Sequence, residues 1–192
     1  MGGYATNAFV FLISTVFDLY LLAIMLRFLL QATRANFYNP VSQFLVKATN
    51  PPLIPLRRII PGVLGIDMAA VVLLLLITLI KFIVLLSLTG QKFSMLGLLV
   101  LSISDLINLS INVFFFSILI EVIMSWVNPM SGNANPAIAL VYTLNYPILS
   151  RARALIKPIH GFDLSPIVAM IFLQLLKLLV VMPLNDFAAR LM

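Results

Sequence analysis

The residues of this chain that could do chemistry are few, and several stand where charge is expensive. There is no cysteine, and His160 is the single histidine in 192 residues. Thiolate chemistry is excluded, and one imidazole cannot build a histidine metal cluster. With no glycine-rich phosphate loop and no spaced ligand set, no catalytic residue, metal or cofactor is assigned, and a non-enzymatic protein is expected. What remains are ionisable and amide side chains inside long apolar runs: Asp18, Arg27, Lys81, Asp105, Asn112, Glu121 and Lys177. Charges in such places pair with one another, line an ion or proton path, or reach for lipid headgroups.

The elements that carry them follow from composition. The chain is 62% hydrophobic and 9% charged, whereas a soluble domain carries about a quarter charged residues. Only a bilayer stabilises such a surface, so an integral membrane protein is expected. Four apolar stretches reach the roughly 20 residues that a spanning helix needs: about 8–30, 66–88, 96–127 and 162–184. Barrel strands would alternate in polarity and these do not, so the fold class is all-α with four transmembrane helices. The N-terminus lacks a basic n-region, and the first run is read as a retained helix.

Basic residues give the orientation. Arg34, Lys47, Arg57 and Arg58 lie between the first two spans, and Arg151, Arg153 and Lys157 between the last two, against Lys92 and Arg190 on the other side. The bias places both long connections in the cytoplasm and both termini outside. The net charge of +6 is accordingly read as affinity for anionic lipid headgroups, not for nucleic acid.

The chain also reads as a duplication. A shift of 96 positions lays Asn135-Pro136 on Asn39-Pro40, Pro147 on Pro51, Arg153 on Arg57, Gly161-Phe162-Asp163 on Gly65-Ile66-Asp67, and Lys177 on Lys81. The units are 1–95 and 96–192, each a span, a basic connection (39–61 and 135–158) and a second span. Two spans return the chain to its starting side, so the repeats share one orientation about an axis along the membrane normal.

Asn50-Pro51-Pro52-Leu53-Ile54-Pro55-Leu56-Arg57-Arg58-Ile59-Ile60-Pro61, together with Arg27-Phe28-Leu29-Leu30, Gly65-Ile66-Asp67 and Ser125-Trp126, resembles the bacterial YggT family over nearly the whole chain. The resemblance implies a small multi-spanning membrane protein of bacteria and plastids. It further implies links to osmotic tolerance and potassium uptake, to cell division or nucleoid distribution, and, in plastid relatives, to assembly of cytochrome complexes.

Depth along the helices suggests specific partners. Asp18 and Lys81 each lie roughly 22 Å from the cytoplasmic side at 1.5 Å per residue, as do Asn112 and Lys177. They are expected to form one polar layer, with Asp18 facing Lys81 or, across the repeats, Lys177. Arg27 and Glu121 occupy matching places and are expected to pair across the repeats. Ser102, Asp105, Asn108 and Asn112 recur at helical spacing as one stripe, for interhelical hydrogen bonds or a water path. Asp67 and Asp163 open their spans as helix caps or as ion ligands, and Trp126 is an interfacial anchor.

The connections are too interrupted to span. Proline inside a helix removes a bond and kinks it, so two short helices broken at Asn50-Pro51-Pro52 are expected in the first. Each connection lies in the interface with arginines among phosphates, or re-enters the bundle. Arg57, Arg58, Arg151, Arg153 and Lys157 are the candidates for binding lipid, a membrane-protein partner or a second copy. The function expected is a scaffold or assembly factor in envelope and osmotic physiology, the alternative being a small potassium or other ion channel.

Overall fold

The computed structural model describes residues 3–63, 65–127, 135–156 and 163–192. Its elements are α1 (Gly3–Ala32), α2 (Pro40–Ile59), α3 (Met68–Thr89), α4 (Met95–Val127), α5 (Pro136–Leu155), α6 (Ser165–Leu176), a π-helical turn (Lys177–Val181) and α7 (Met182–Leu191). Among the described residues there is no strand beyond a single bridge between Val63 and Ile66. Four helices are long and apolar enough to cross a membrane: α1, α3, α4 and the continuous run from Ser165 to Leu191. The protein is a multi-pass, all-helical membrane protein.

Local chemistry sets the ends. Asn39 and Asn135 each accept a hydrogen bond from the backbone two residues on, at Val41 and Ala137. The following prolines occupy the first helical position, where a missing N–H costs nothing. Asp67 accepts from the Ala70 N–H at the start of α3. Gly90, at φ 67°, closes that helix in the left-handed conformation that glycine adopts without penalty.

The first connection differs from expectation. α2 runs unbroken for 20 residues through Pro51, Pro52 and Pro55. Those prolines deprive the carbonyls of Lys47, Ala48 and Pro51 of their helical donors. All three residues lie on the exposed side, where water or headgroups replace the lost bonds, and proline's fixed φ is itself helical. The opposite face, Ser42, Leu45, Thr49 and Leu53, is buried on the spans.

Packing is antiparallel and sequential. α1 packs on α3, α3 on α4, and α4 on the last span, while α2 and α5 lie over the helices of their own halves. One core cluster joins Leu21, Ile24, Leu45, Leu53 and Leu73 with Val113 and Leu144. A second joins Ile111, Ile118, Leu149, Leu173 and Val181. Gly97 lets α4 approach α7 closely, since a Cβ there would stand 3.3 Å from the Ala188 carbonyl oxygen, the small-residue contact favoured between membrane helices.

The π turn has a local cause. Pro183 cannot donate to the carbonyl four residues back, and its ring crowds that carbonyl. The helix widens just before it, and Met182 N–H reaches the Lys177 carbonyl. Ser104 of α4 donates its hydroxyl to the carbonyl of Val181, at 3.2 Å.

Candidate functional site

The charges at the α2 and α5 end of the bundle are used as ties. Arg27, 4% exposed, donates from Nη1 to Thr49 Oγ1 at 2.6 Å, Asn50 Oδ1 at 2.9 Å and the Val46 carbonyl at 3.4 Å. Glu121 holds the corresponding place in α4 and accepts from Asn145 Nδ2 at 2.8 Å, with Arg153 Nη2 at 3.8 Å. Asn145 in turn accepts from the Ser117 hydroxyl. The expected pair between Arg27 and Glu121 is therefore not made. Each side chain sits under its own connecting helix: α2 brings Thr49, Asn50 and the Val46 carbonyl to Arg27 Nη1, leaving Nε buried without a partner, and α5 brings Asn145 and Arg153 to Glu121.

A second tie recurs at the start of α3 and of α6. Arg57 donates through Nε and Nη2 to Asp67 and through Nη2 to Gln31 Oε1 at 3.3 Å. Arg153 Nε donates to Asp163 Oδ2 at 2.8 Å, and Asp163 Oδ1 accepts from the Ser165 N–H at 2.9 Å. Both acids thus cap or flank a helix start while holding an arginine. Arg58 and Arg151 face outward, without an ion pair among the described residues. Lys157 and His160 lie outside the described residues. Trp126 is 80% exposed at the end of α4.

Burial alone would raise the Asp163 carboxyl, but the hydrogen bonds from Ser165 and Arg153 outweigh it and hold it below its ordinary value. A depressed folded-state value stabilises the tie above the ordinary carboxylate range, and that stabilisation is lost as pH falls through the folded-state value. The protection of amides in the C-terminal turn of α5, taken relative to their intrinsic exchange rate, is expected to fall on acidification, and Asp163→Asn to give low protection at every pH. Protection independent of pH in the parent protein contradicts this role.

Deeper in the bundle Lys81 is clasped between two acids. Its Nζ is 2.8 Å from Asp18 Oδ1 on α1 and 2.7 Å from Asp105 Oδ2 on α4, and it lies 4.9 Å from the centre of the Phe82 ring. Lys177 Nζ donates to Asn112 Oδ1 at 3.4 Å. The four residues expected as one polar layer therefore form two separate clusters, because α4 stands between α3 and the last span. The α4 stripe divides likewise: Asp105 serves α3 and Asn112 serves the last span. Ser102 Oγ and Asn108 Oδ1 are buried without a hydrogen-bond partner.

A cavity of about 560 Å³ lies between α1, α2, α4 and α5, lined by Leu22, Leu26, Leu45, Val113, Phe116 and Leu140 among others, with only Asn112 and Ser117 polar. Its walls suit hydrocarbon, not hydrated ions.

Thr49, Asn50, Asn145, Ser117 and Gln31 were not singled out by the sequence, yet they are the partners that satisfy the charges. One signal was present: Thr49 and Asn145 coincide under the 96-residue shift, and both are fully buried.

The comparisons with known proteins agree with this architecture. A family model described as CCB3/YggT matches residues 6–88 and 100–184. The chain is 46% identical to protein PA0392 of Pseudomonas aeruginosa over 185 residues, 95% of this chain and 91% of that one. It is 42% identical to a Vibrio alginolyticus protein described by its place in the proC 3' region, over 88% of this chain and 90% of that one. It is 36% identical to YggT of Escherichia coli K12 over 174 residues, 90% of this chain and 88% of that one. No solved structure matches the chain. With four apolar helices and this similarity along nearly its whole length, the chain belongs to the CCB3/YggT family of membrane proteins.

Proposed function

We propose that this protein is a non-enzymatic scaffold or assembly factor of the bacterial inner membrane, built from two tandem units of one orientation. It presents α2 and α5 on the cytoplasmic side to anionic lipid headgroups and to a membrane-protein partner, in envelope and osmotic physiology. The observation that carries the proposal is the repeated tie: Arg57 to Asp67 and Arg153 to Asp163, each with a buried polar contact from the preceding span. The charged groups hold two amphipathic helices rigidly against the bundle, which is what a docking platform requires. The match of one family model to residues 6–88 and 100–184 supports the tandem units.

In this arrangement the arginines divide labour. Arg57 and Arg153 hold the platform, while Arg58 and Arg151 meet the lipid or partner. Arg58→Ala combined with Arg151→Ala is expected to weaken retention of phosphatidylglycerol over phosphatidylcholine by about 2 kcal/mol, roughly 30-fold, at about 1 kcal/mol per basic residue near an anionic surface. Native mass spectrometry of the protein released from mixed-lipid nanodiscs measures it. Unchanged lipid retention together with unchanged co-purification of membrane partners contradicts the proposal.

A second reading, ion transport with potassium as the candidate, rests on the excess of acid around Lys81, where two carboxylates share one ammonium. Potassium flux in proteoliposomes no greater than in empty liposomes removes it.

A further inference from the structure

We infer that a second copy of this chain seats its α1 against the last span, continuing the contact by which the second unit sits on the first. The inference rests on the tandem-unit reading. Within the chain, α4 covers the first unit with Leu106, Leu109 and Val113, which pack into its core cluster. Ser110 donates to Met25 Sδ at 3.3 Å, and Asp105 holds Lys81. The first helices of the two units superpose with a shift of 94, which lays Asp18 on Asn112 and Arg27 on Glu121. That shift places Leu12, Val16 and Leu19 of α1 on Leu106, Ser110 and Val113. Val113 is 7% exposed, whereas Leu12, Val16 and Leu19 are 61%, 67% and 63% exposed. The face that α4 uses is open on α1.

The complementary face is open too. Leu74, Thr78 and Lys81 share one side of α3 and are buried. Their counterparts at a shift of 96 are Met170, Gln174 and Lys177, of which Gln174 is exposed and the other two are half-buried. Met170 and Gln174 line a groove of about 310 Å³ on α6.

Lipid is a poor occupant of that groove. The Gln174 amide and the Lys177 ammonium would face hydrocarbon, and among the described residues Lys177 has only the Asn112 amide at 3.4 Å. Polar groups at membrane depth turn toward protein partners. α1 offers the Thr15 hydroxyl beside Leu12, Val16 and Leu19. It carries Phe11 where α4 carries Asp105, so Lys177 gains a ring instead of a carboxylate, and the contact between copies is the weaker of the two. A contact using two different faces leaves one face of each kind free on the pair, so the product is a closed ring or an open row.

The natural absence of cysteine makes the test direct. A benzophenone label on Leu12→Cys, photolysed in native nanodiscs, is expected to form adducts with Ser165–Leu191 of another copy, in particles counting two or more chains. Adducts with lipid alone in single-chain particles overturn the inference, and so do adducts joining α1 to α1. The same label on Leu106→Cys is expected to reach α1 or α3 within its own chain. If it does while Leu12 meets only lipid, the tandem units stand and the continuation fails. If the Leu106 label reaches neither helix, the tandem reading falls and the inference with it.

Discussion

Lys81→Ala is expected to destabilise the protein by about 3–5 kcal/mol, the usual cost of removing one member of a buried charge cluster. The ammonium is buried, and two carboxylates converge on it. Without it, Asp105 and Asp18 are left as neighbouring negative charges, neither paired with another cation among the described residues. The Asp18 side chain is 56% exposed and Asp105 28%, so most of the loss falls on Asp105. Thermal unfolding in lipid nanodiscs checks the magnitude. Combining Lys81→Met with Asp18→Asn and Asp105→Asn should restore most of the stability, because uncharged side chains of similar size remove the desolvation penalty along with the attraction. If Lys81→Ala unfolds like the parent, the cluster is not a structural pin. The transport reading would then account for its presence, with Asp18→Asn altering ion flux while the fold is kept.

The second large effect belongs to Arg27. Arg27→Ala is expected to cost about 2–4 kcal/mol, since hydrogen bonds to a charged donor contribute about 1.5–3 kcal/mol and the truncation also opens a cavity. The effect should be local at first: Thr49 and Asn50 lose their donor, and amide exchange in the middle of α2 accelerates. Arg27→Lys should recover only part, because the more strongly hydrated ammonium is costlier to bury and ends short of the Nη1 position that meets Thr49, Asn50 and the Val46 carbonyl. A double-mutant cycle separates the observed contacts from the expected ones. Arg27 with Thr49 should show a coupling of about 0.5–3 kcal/mol, while Arg27 with Glu121 should add within about 0.5 kcal/mol. Strong coupling of Arg27 to Glu121 contradicts the arrangement described.

Much of the fold was legible because hydrophobic length is a local property. The expected spans at about 8–30, 66–88, 96–127 and 162–184 lie within or across the helices Gly3–Ala32, Met68–Thr89, Met95–Val127 and Ser165–Leu191. The helix penalty of proline predicts a break in the first connection that α2 does not make. In α2 the lost donors fall on the exposed face and the buried face loses nothing, so the helix continues through Pro51, Pro52 and Pro55. The π turn ahead of Pro183 is a register change that hydropathy does not register.

The polar residues divide along the same line. Depth along a helix is fixed by residue count, so Asp18 and Lys81 could be placed at one level from the sequence, and the recurrence of arginine and aspartate at Arg57, Asp67, Arg153 and Asp163 was visible as spacing. Direction around the helix axis and the identity of the neighbouring helix are not local quantities. Tertiary packing decided that Asp105 would join Lys81, that Asn112 would turn to Lys177, and that Arg27 and Glu121 would each be satisfied by a connecting helix and not by each other. The chain by itself determined a membrane-spanning protein with basic, proline-marked connections, since burial in lipid depends on composition over about 20 residues. Which charge meets which depended on how the spans stack, because a hydrogen bond acts over about 3 Å and only the assembled bundle brings distant residues that close.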